Sequence, residues 1–393
     1  MQELIGKYAK KIIRAGLADN PLLCGLDDEL YWNREDGAIP TLTSVLRGMN
    51  SNSLLCAEPA EPYQRILRSL TGRHPETIMP GDCETRTFLH DLPVARTFSA
   101  DAILARLRKR KSVIIAADGT VRVVTHGTVS PEQAFVTFSS VCFSTFVLFF
   151  SAFLADLRAG TTTAEQQEAF AATLPFIAEP PEKPPELLSG PFTSASRVID
   201  AMIEAGRYTV AYGLVDSYFG NISYRLDDTV YISQTGSSLD ELAGCIDPCP
   251  LDNSSSTGIT ASSELAAHTD IFLRTDKLAI LHGHPKFTVI LSMDCEVRDC
   301  PQQGQCHIKC PHERFINDIP IVPGEVGTGP TGLCNTLPPA IKGNRGAIVW
   351  GHGLFTTGSN DFTEAFRNLL DIEEMCRKKY FARIRQLSEL HWS

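Results

Sequence analysis

The chain has 393 residues, a formal net charge of −10, and the apolar and charged fractions of an ordinary folded protein. This length allows two domains, because one core rarely grows beyond about 250–300 residues. The acidic balance argues against a nucleic-acid partner, whose binding surface would normally be basic. Residues 1–11 are polar and charged, which predicts no signal peptide and favours the cytoplasm. In that reducing compartment the twelve cysteines are expected to be thiols or metal ligands.

The first half has alternating helix and strand patterns. Residues 3–17 and 62–71 have helical spacing, and residues 112–116 predict a strand. Ser130 and Pro131 have the chemistry of a helix start. The segment that follows, residues 134–155, carries no charge and is long enough to cross a membrane. Because serine and threonine dilute its hydrophobicity, we predict a helix buried in the protein or at a subunit interface, and no membrane partner.

The composition changes between residues 161 and 191. Prolines recur from Pro175 to Pro191, and chain this rich in proline forms neither a helix nor a central strand. We therefore predict a domain at 1–160, a proline-rich linker at 161–191 and a second domain at 192–393. Within the second domain, helices are predicted at 194–206 and 263–273, and strands at 220–225, 230–233 and 346–350.

Two histidines interrupt the apolar segment Ala279–Met293. Because side chains alternate between the two faces of a strand, His282 and His284 are expected to point the same way. Two imidazoles on one face are half of a metal site, and hydrogen-bonded core histidines are the alternative. The apolar residues 287–291 predict that the strand continues after Pro285.

The two sides of the linker contain similar segments in the same order. His90–Ala95 resembles Asn317–Val322, Lys111–Val121 resembles Arg345–Phe355, and Ser130–Phe135 resembles Asp361–Phe366. The shared order favours duplication of one fold over coincidence. In this alignment Gly72 and His74 stand where His282 and His284 stand, and Asp118 stands where His352 stands. The first half is therefore predicted to be a degenerate copy.

Five short motifs of the second half occur in the order of a known family. They are Gly213–Leu226, Ser233–Gly236, Ser262–His268, His282–Pro285 and Gly351–Leu354. With these motifs the second half resembles the class II aldolase/adducin family, which includes fuculose-phosphate aldolase and ribulose-phosphate 4-epimerase. The resemblance implies an α/β fold, a three-layer α/β/α sandwich with a mainly antiparallel central sheet, here tandemly duplicated.

The resemblance also implies a site. His282, His284 and His352 match the family's three metal ligands, so Zn²⁺ or another divalent metal is expected as cofactor. Glu264 matches the catalytic acid/base, although a carboxylate that only complements its helix dipole is the alternative. The phosphate-binding positions match Gly220, Asn221, Thr235, Gly236, Ser262 and Ser263. A carboxylate or a polyol could use the same hydrogen-bond donors.

The implied function is a zinc-dependent class II aldolase that cleaves a short phosphorylated sugar by a retro-aldol reaction through a metal-bound enediolate. Epimerisation at C4, decarboxylation or dehydration on the same metal is the alternative within enzymes. A non-catalytic, adducin-like interaction protein is the alternative outside them. The family also implies a homo-oligomer, either a dimer or a tetramer. No position of this chain securely matches the tyrosine that several family members contribute from a neighbouring subunit.

A cysteine-rich insertion at residues 295–310 is foreign to this family. Its four thiols, Cys295, Cys300, Cys306 and Cys310, could bind a second Zn²⁺ or an iron–sulfur cluster. Free thiols are the alternative. Cys245 and Cys249, in another loop, could contribute to such a site.

Overall fold

The computed structural model describes residues 1–392 except 180, 182, 217 and 298, and it describes residues 390–392 by their backbone alone. The chain folds into two compact units, Met1–Ala178 and Glu179–Ser393. The division falls inside the predicted linker 161–191. Of that segment, the helix Ala164–Thr173 belongs to the first unit, where Phe170 stacks on Phe153 with ring centroids 3.9 Å apart.

The first unit has one sheet flanked by helices. Its helices are α1 (Gln2–Arg14), α2 (Ile39–Arg47), α3 (Tyr63–Arg73), α4 (Cys83–Leu89), α5 (Ala100–Leu107), α6 (Pro131–Ala159) and α7 (Ala164–Thr173). Its strands are β1 (Leu22–Leu26), β2 (Leu30–Trp32), β3 (Ser53–Ala57), β4 (Thr77–Ile78), β5 (Leu92–Ala95), β6 (Ser112–Ala117) and β7 (Thr120–Gly127). The strand order is β2-β1-β3-β7-β6-β5-β4. Only the pair β5–β6 is parallel among the described strands of this sheet.

The second unit has the same construction with one more strand. Its helices are α8 (Ala195–Ala211), α9 (Leu265–Arg274), α10 (Lys286–Met293), α11 (Leu333–Ile341) and α12 (Phe362–Trp392). Its strands are β8 (Asn221–Leu226), β9 (Thr229–Ser233), β10 (Ile246–Pro250), β11 (Ala279–Gly283), β12 (Arg314–Ile316), β13 (Ile319–Val322), β14 (Gly346–Val349) and β15 (Gly353–Gly358). The order is β10-β9-β8-β11-β15-β14-β13-β12, and β13–β14 is its parallel pair.

Each sheet is covered by helices on both faces. In the first unit, Val124 of β7 packs in a core with α2 and α5, while the neighbouring Thr125 donates a hydrogen bond to the Ala134 carbonyl of α6. In the second unit, Phe355 of β15 packs in a core with α9 and α11, while Thr356 donates to the Ala365 carbonyl of α12. Because neighbouring strand residues face opposite sides, each unit is a three-layer α/β/α sandwich. The predicted fold class is confirmed.

The two sheets are copies of one another once the edge strand β10 is set aside. β1, β3, β7, β6, β5 and β4 take the places of β8, β11, β15, β14, β13 and β12. The parallel pair and the threonine–helix bond described above fall at equivalent places in both units. The predicted tandem duplication is therefore confirmed by strand order and register.

The phenylalanine-rich helix α6 is buried within the first unit. It begins after Ser130 and ends at Gly160, which adopts the left-handed conformation with φ of 68°. By length and composition this helix could cross a membrane, yet 78% of its apolar window is buried inside the protein. The stack of Phe146 on Phe150, with centroids 4.5 Å apart, is part of that packing. The pattern is that of a core helix.

Two predictions around the candidate site were wrong. Residues 287–291 do not continue the histidine strand but lie in helix α10. Pro285 has no N–H for the sheet, and the Glu373 carboxylate instead accepts hydrogen bonds from the first amides of the new helix. The second error concerns the helix predicted at 263–273, which places Glu264 in its first turn. In the structure this helix is α9, which begins at Leu265, and Glu264 is its N-cap residue.

The predicted counterparts of His282 and His284 in the first unit were also wrong. Cys56 pairs with Val124 as His282 pairs with Phe355, so Cys56, and not Gly72, is the counterpart of His282. Two residues later, Glu58 and not His74 is the counterpart of His284. The error arose because the H-P dipeptide at 74–75 follows a helix, whereas His284-Pro285 follows a strand.

The third counterpart depends on which strand is followed. Counted from β6, Asp118 stands at the position of His352, as predicted. Counted from β7, the position belongs to Val121, because the hairpin of the first unit is longer. Neither residue is a histidine. The first unit therefore lacks the triad.

Candidate active site

Three histidines converge at the end of the central strand β11. His282 is in β11, His284 follows it directly, and His352 lies in the turn between β14 and the neighbouring strand β15. Nε2 of His282 lies 3.0 Å from Nε2 of His284 and 3.3 Å from Nε2 of His352. All three side chains are buried. The prediction that His282 and His284 share a face agrees with this geometry.

The protonation of His282 leaves its Nε2 available to a cation. Its Nδ1 lies 3.1 Å from the Leu354 carbonyl, which can only accept, so Nδ1 carries the proton. Burial, together with the neighbouring histidines, holds the pKa of His282 and of His284 well below 6.5. Both rings are therefore neutral near pH 7, with ring lone pairs that repel one another unless a positive charge lies between them.

The separations of the ring nitrogens fit a metal ion. Three nitrogens bound to tetrahedral zinc at its usual bond length lie about 3.3 Å from one another. The observed separations are 3.0 and 3.3 Å. In the described part of the chain, these histidines form the group of His, Cys, Asp or Glu donors that lie within 4.8 Å of one another. The donor set fits a divalent cation with one coordination position left open.

Glu264 lies beside the triad and is also buried. Its Oε1 is 3.4 Å from Nε2 of His352, and its Oε2 is 3.7 Å from Nε2 of His282. The amide nitrogen of Asn221 donates to Oε2 at 2.6 Å and fixes the orientation of the carboxyl group. A carboxylate at this distance can offset the charge of a cation at the triad or exchange a proton with a substrate there.

The predicted phosphate-binding residues come from three segments that the fold brings together. Gly220 and Asn221 begin β8, Thr235 and Gly236 follow β9, and Ser262 and Ser263 precede α9. The hydroxyl of Thr235 donates to the Ala261 carbonyl at 2.9 Å, and the Ser262 amide donates to the Ser233 carbonyl at 3.0 Å. Since the Asn221 and Thr235 side chains already donate to the protein, a ligand would rely mainly on the remaining donors of these turns.

Gly353 is required by the close approach of the histidines. A Cβ at this position would lie 2.8 Å from ring atoms of both His282 and His284 and 2.4 Å from the Gly283 carbonyl oxygen. Any side chain would therefore displace these two rings. At the equivalent place in β7 the first unit has Arg122, whose guanidinium pairs with Glu58 at 3.0 Å. The first unit thus has an ion pair where the second has its triad.

The sequence analysis did not identify the residues that support the triad. Phe355 stacks on the His282 ring with centroids 3.8 Å apart, and the Ser292 hydroxyl accepts a hydrogen bond from the Gly351 amide at 2.8 Å. Glu373 of α12 accepts three hydrogen bonds from Phe287 and Thr288, at 2.8–2.9 Å. These contacts join residues far apart in the chain, so no local sequence pattern predicts them.

His268 belongs to the neighbourhood of the triad but not to it. Its Nδ1 lies 2.6 Å from the Ser223 hydroxyl, and its ring packs edge-on against Phe355. Burial lowers the pKa of His268 to about 3, so the ring is neutral. The structure therefore gives His268 a packing role in the core beneath the site.

We expect Glu373→Gln to weaken metal binding at the triad although Glu373 touches no histidine. Its carboxylate holds the start of α10, which begins two residues after His284. A glutamine would place an NH₂ group, which can only donate, against some of the same N–H donors. Groups that orient metal ligands in this indirect way affect metal affinity by about 10–100-fold. The loss of hydrogen bonds to a buried charged group should lower the free energy of unfolding by about 1–3 kcal/mol. Chelator competition and urea unfolding measure the two effects.

The control is Glu374→Gln, whose carboxylate pairs with Arg377 and Lys378 on the surface and should change stability by at most about 0.5 kcal/mol. The pH dependence gives a second readout. Burial raises the pKa of Glu373 from 4.5 to about 7, so the folded state holds an extra proton in this range and loses stability as the pH rises through it. Glu373→Gln should remove this loss. Equal behaviour of the two variants would refute the role of Glu373.

The four cysteines of the insertion lie in the loop between α10 and β12. Cys295 is exposed, whereas Cys300, Cys306 and Cys310 are half-buried. All twelve cysteines lie in the described part of the chain, and none of them forms a disulfide. Cys245 and Cys249 lie at the other edge of the sheet, before and within β10, so the prediction that they could join the four is not supported by the strand order.

One family and several solved structures are similar to part of the chain. Residues 200–380 match the family described as Class II Aldolase and Adducin N-terminal domain. No curated protein matches the chain in sequence. Among solved structures, the chain is similar to l-fuculose-1-phosphate aldolase from Thermus thermophilus, with 24% identity, a TM-score of 0.40, and coverage of 49% of this chain and 96% of that one.

Two further structures are similar over the same share of the chain. YgbL from Klebsiella pneumoniae, a putative aldolase/epimerase/decarboxylase, has 22% identity, a TM-score of 0.39, and coverage of 48% of this chain and 90% of that one. A sugar-phosphate aldolase from Thermotoga maritima has 19% identity, a TM-score of 0.36, and coverage of 49% and 96%.

Proposed function

Because residues 200–380 belong to the class II aldolase/adducin family, we propose that the second unit is a metal-dependent aldolase that cleaves a short sugar phosphate by a retro-aldol reaction. One observation carries the proposal. Nε2 of His282 lies 3.0 Å from Nε2 of His284 and 3.3 Å from Nε2 of His352, and the Glu264 carboxylate lies 3.7 Å from Nε2 of His282 and 3.4 Å from Nε2 of His352. This arrangement combines a cation site with a group that can exchange a proton.

In this proposal His282, His284 and His352 hold Zn²⁺ or another divalent cation. Such a cation supplies a Lewis acid that polarises substrate oxygens and stabilises negative charge. The chain contributes the geometry: the Leu354 carbonyl fixes the tautomer of His282, and Gly353 leaves room for the rings. Burial keeps His282 and His284 neutral, so they are ready to bind.

We assign the proton transfer at carbon to Glu264. In retro-aldol cleavage a base removes the proton of the β-hydroxyl, the bond between the α- and β-carbons breaks, and its electron pair passes to the α-carbon and its carbonyl. A proton must then be returned to the α-carbon, and Glu264 in its acid form would donate it. In the reverse direction the carboxylate would remove that proton. The Asn221 amide, which donates to Oε2, holds the carboxyl group in one orientation for both directions.

We further propose that the substrate's phosphate is held by the turns at Gly220, Asn221, Thr235, Gly236, Ser262 and Ser263. Ser263 is exposed, and Gly236 has a positive φ of 73°. A Cβ added at Gly236 would have no atom within 4 Å, so the space beside this turn is open. Backbone amides in such turns, next to the amino terminus of α9, are suited to an anion. Exposed donors of this kind would let the phosphate bind while the reacting carbons reach the buried triad.

The remaining features of the proposal concern the whole chain. The first unit would serve a structural purpose, because Arg122 and Glu58 stand where the triad would be. A cytoplasmic location suits twelve cysteines that form no disulfide. Assembly into a homodimer or homotetramer would match the oligomeric states that are usual in the family.

The test is a panel of ketose 1-phosphates, ketose 5-phosphates and aldonate phosphates, assayed with the zinc-loaded protein. Release of an aldehyde and a three-carbon ketone phosphate from one of the ketose phosphates is the expected result. Inversion at C4 without cleavage would assign the site to an epimerase, and loss of CO₂ or water would assign it to a decarboxylase or a dehydratase. Zinc bound at the triad with no turnover of any compound would favour an interaction protein of the adducin type and refute the proposal.

A further inference from the structure

We propose that Cys295, Cys300, Cys306 and Cys310 bind a single Zn²⁺ ion through their thiolates, at a site separate from the histidine triad. The site would close the loop between α10 and β12 and brace the turn that carries His352. This inference does not rest on the proposed reaction, because it concerns a different set of ligands.

The loop that contains the four cysteines has no equivalent in the first unit. Between α3 and β4 the first unit has only residues 74–76, whereas between the corresponding α10 and β12 the second unit has residues 294–313. The extra residues therefore do not serve the shared fold. All four cysteines of the loop fall within residues 295–310, a density that only a specific use of thiols explains.

The spacing of the four cysteines suits zinc better than an iron–sulfur cluster. Four residues separate Cys295 from Cys300, and three separate Cys306 from Cys310. Both intervals fall within the two to four residues usual between paired zinc ligands. Iron–sulfur proteins typically have two residues between most of their ligating cysteines, which this loop does not have.

The loop needs a cross-link because it has little else to order it. It is a run of turns, with hydrogen bonds from Gln303 N to Cys300 O at 3.1 Å and from Ile308 N to Gln305 O at 2.9 Å, and no helix or strand among its described residues. Val297, one of its few apolar side chains, is 44% exposed. Without an apolar core, such a segment commonly obtains its folding energy from a metal.

The four thiols lie close enough to influence one another. The pKa of Cys306 is raised by burial and also by the proximity of Cys310, Cys295 and Cys300. Mutual repulsion of thiolates is the effect that a divalent cation relieves. Among the described residues no three of the four sulfurs lie within 4.8 Å of one another, whereas sulfurs bound to one zinc ion lie about 3.8 Å apart. Binding of the ion would therefore have to draw the turns of the loop together, as happens where metal binding and folding are coupled.

Three contacts join the ends of the loop to one another and its middle to the rest of the second unit. Arg314 donates to the Asp294 carbonyl at 2.6 Å and so joins the two ends of the loop. The Gly324 amide donates to the His307 carbonyl at 2.9 Å, and the His307 ring lies 6.1 Å from that of Trp350. Trp350 is two residues before His352. A zinc ion in this loop would therefore stabilise the surface against which the His352 turn packs.

Cobalt substitution of the full-length chain tests the proposal. The variant His282→Ala, which disrupts the triad, is stripped of metal and titrated with Co²⁺. One equivalent should bind with the ultraviolet charge-transfer absorption of cobalt–thiolate bonds, and one equivalent of Zn²⁺ should abolish that absorption. Adding Cys306→Ser and Cys310→Ser should reduce the bound cobalt from one equivalent to none. His312→Ala, an exposed substitution in the same loop, should leave it at one.

Three results would overturn the proposal. The first is a His282→Ala protein that binds cobalt without thiolate absorption. The second is iron with visible absorption in the protein as isolated, which would identify a cluster. The third is four loop thiols that react with a thiol reagent at the same rate with and without Zn²⁺. Because these readouts use a protein without an intact triad, their failure is distinguishable from failure of the aldolase proposal, which is judged by turnover of sugar phosphates.

Discussion

Replacing Glu264 by glutamine should lower kcat by about 10²–10⁴-fold while the metal remains bound. Glutamine has nearly the same volume, and its carbonyl oxygen can still accept the hydrogen bond from Asn221 that Glu264 accepts at 2.6 Å. What it lacks is a group that gains and loses a proton. The fold and the triad should therefore survive, and only proton transfer should fail.

The measurement is cleavage of the substrate that the panel identifies, together with zinc analysis of the same preparation. Deuterium exchange at the α-carbon of the ketone product, in the absence of aldehyde, isolates the step assigned to Glu264 and should fall by a similar factor. Asp270→Asn is the matched control, because Asp270 lies on the same helix and pairs with Arg274 at the surface. A Glu264→Gln enzyme with normal kcat would remove this residue from the mechanism.

Substitution of His282 by alanine should abolish metal binding at the triad and with it all turnover. His282 is the central member, since its Nε2 lies 3.0 Å and 3.3 Å from those of the other two histidines. The loss should exceed the roughly 10–100-fold reduction in affinity expected for residues that only orient ligands. The measurement is the difference in zinc content between the variant and the parent protein. Zinc bound at the cysteine loop would be present in both proteins and would not contribute to this difference.

The control for this variant is His74→Ala, an exposed substitution in the first unit that should retain both the metal and the activity. Acidification provides an independent check. Because burial holds the pKa of His282 and His284 well below 6.5, protons should displace the metal only at pH values well below that of an ordinary histidine. Metal bound to His282→Ala with the parent's stoichiometry and affinity would contradict the assignment of the triad.

The residues near His282 show what local sequence determines. The alternation of a strand is enough to place His282 and His284 on one face, and the glycines on both sides of His352 indicate a turn. The order of the five family motifs was enough to predict the fold class, and the shared order of similar segments was enough to predict the duplication. Glu264 could be selected from its motif, although not its position as an N-cap. These features depend on short stretches of chain, which local geometry controls.

Tertiary structure decided the rest. The apolar residues after Pro285 are compatible with a strand or a helix, and Glu373, more than eighty residues away, stabilises the helix by accepting hydrogen bonds from its first amides. The counterparts of the histidines followed from sheet register, which a similar dipeptide at His74-Pro75 concealed. The convergence of His352 with His282 likewise depends on pairing between β11 and β15. The sequence alone selected the side chains that we propose to carry the chemistry, but only long-range strand pairing and helix packing determined which of them meet.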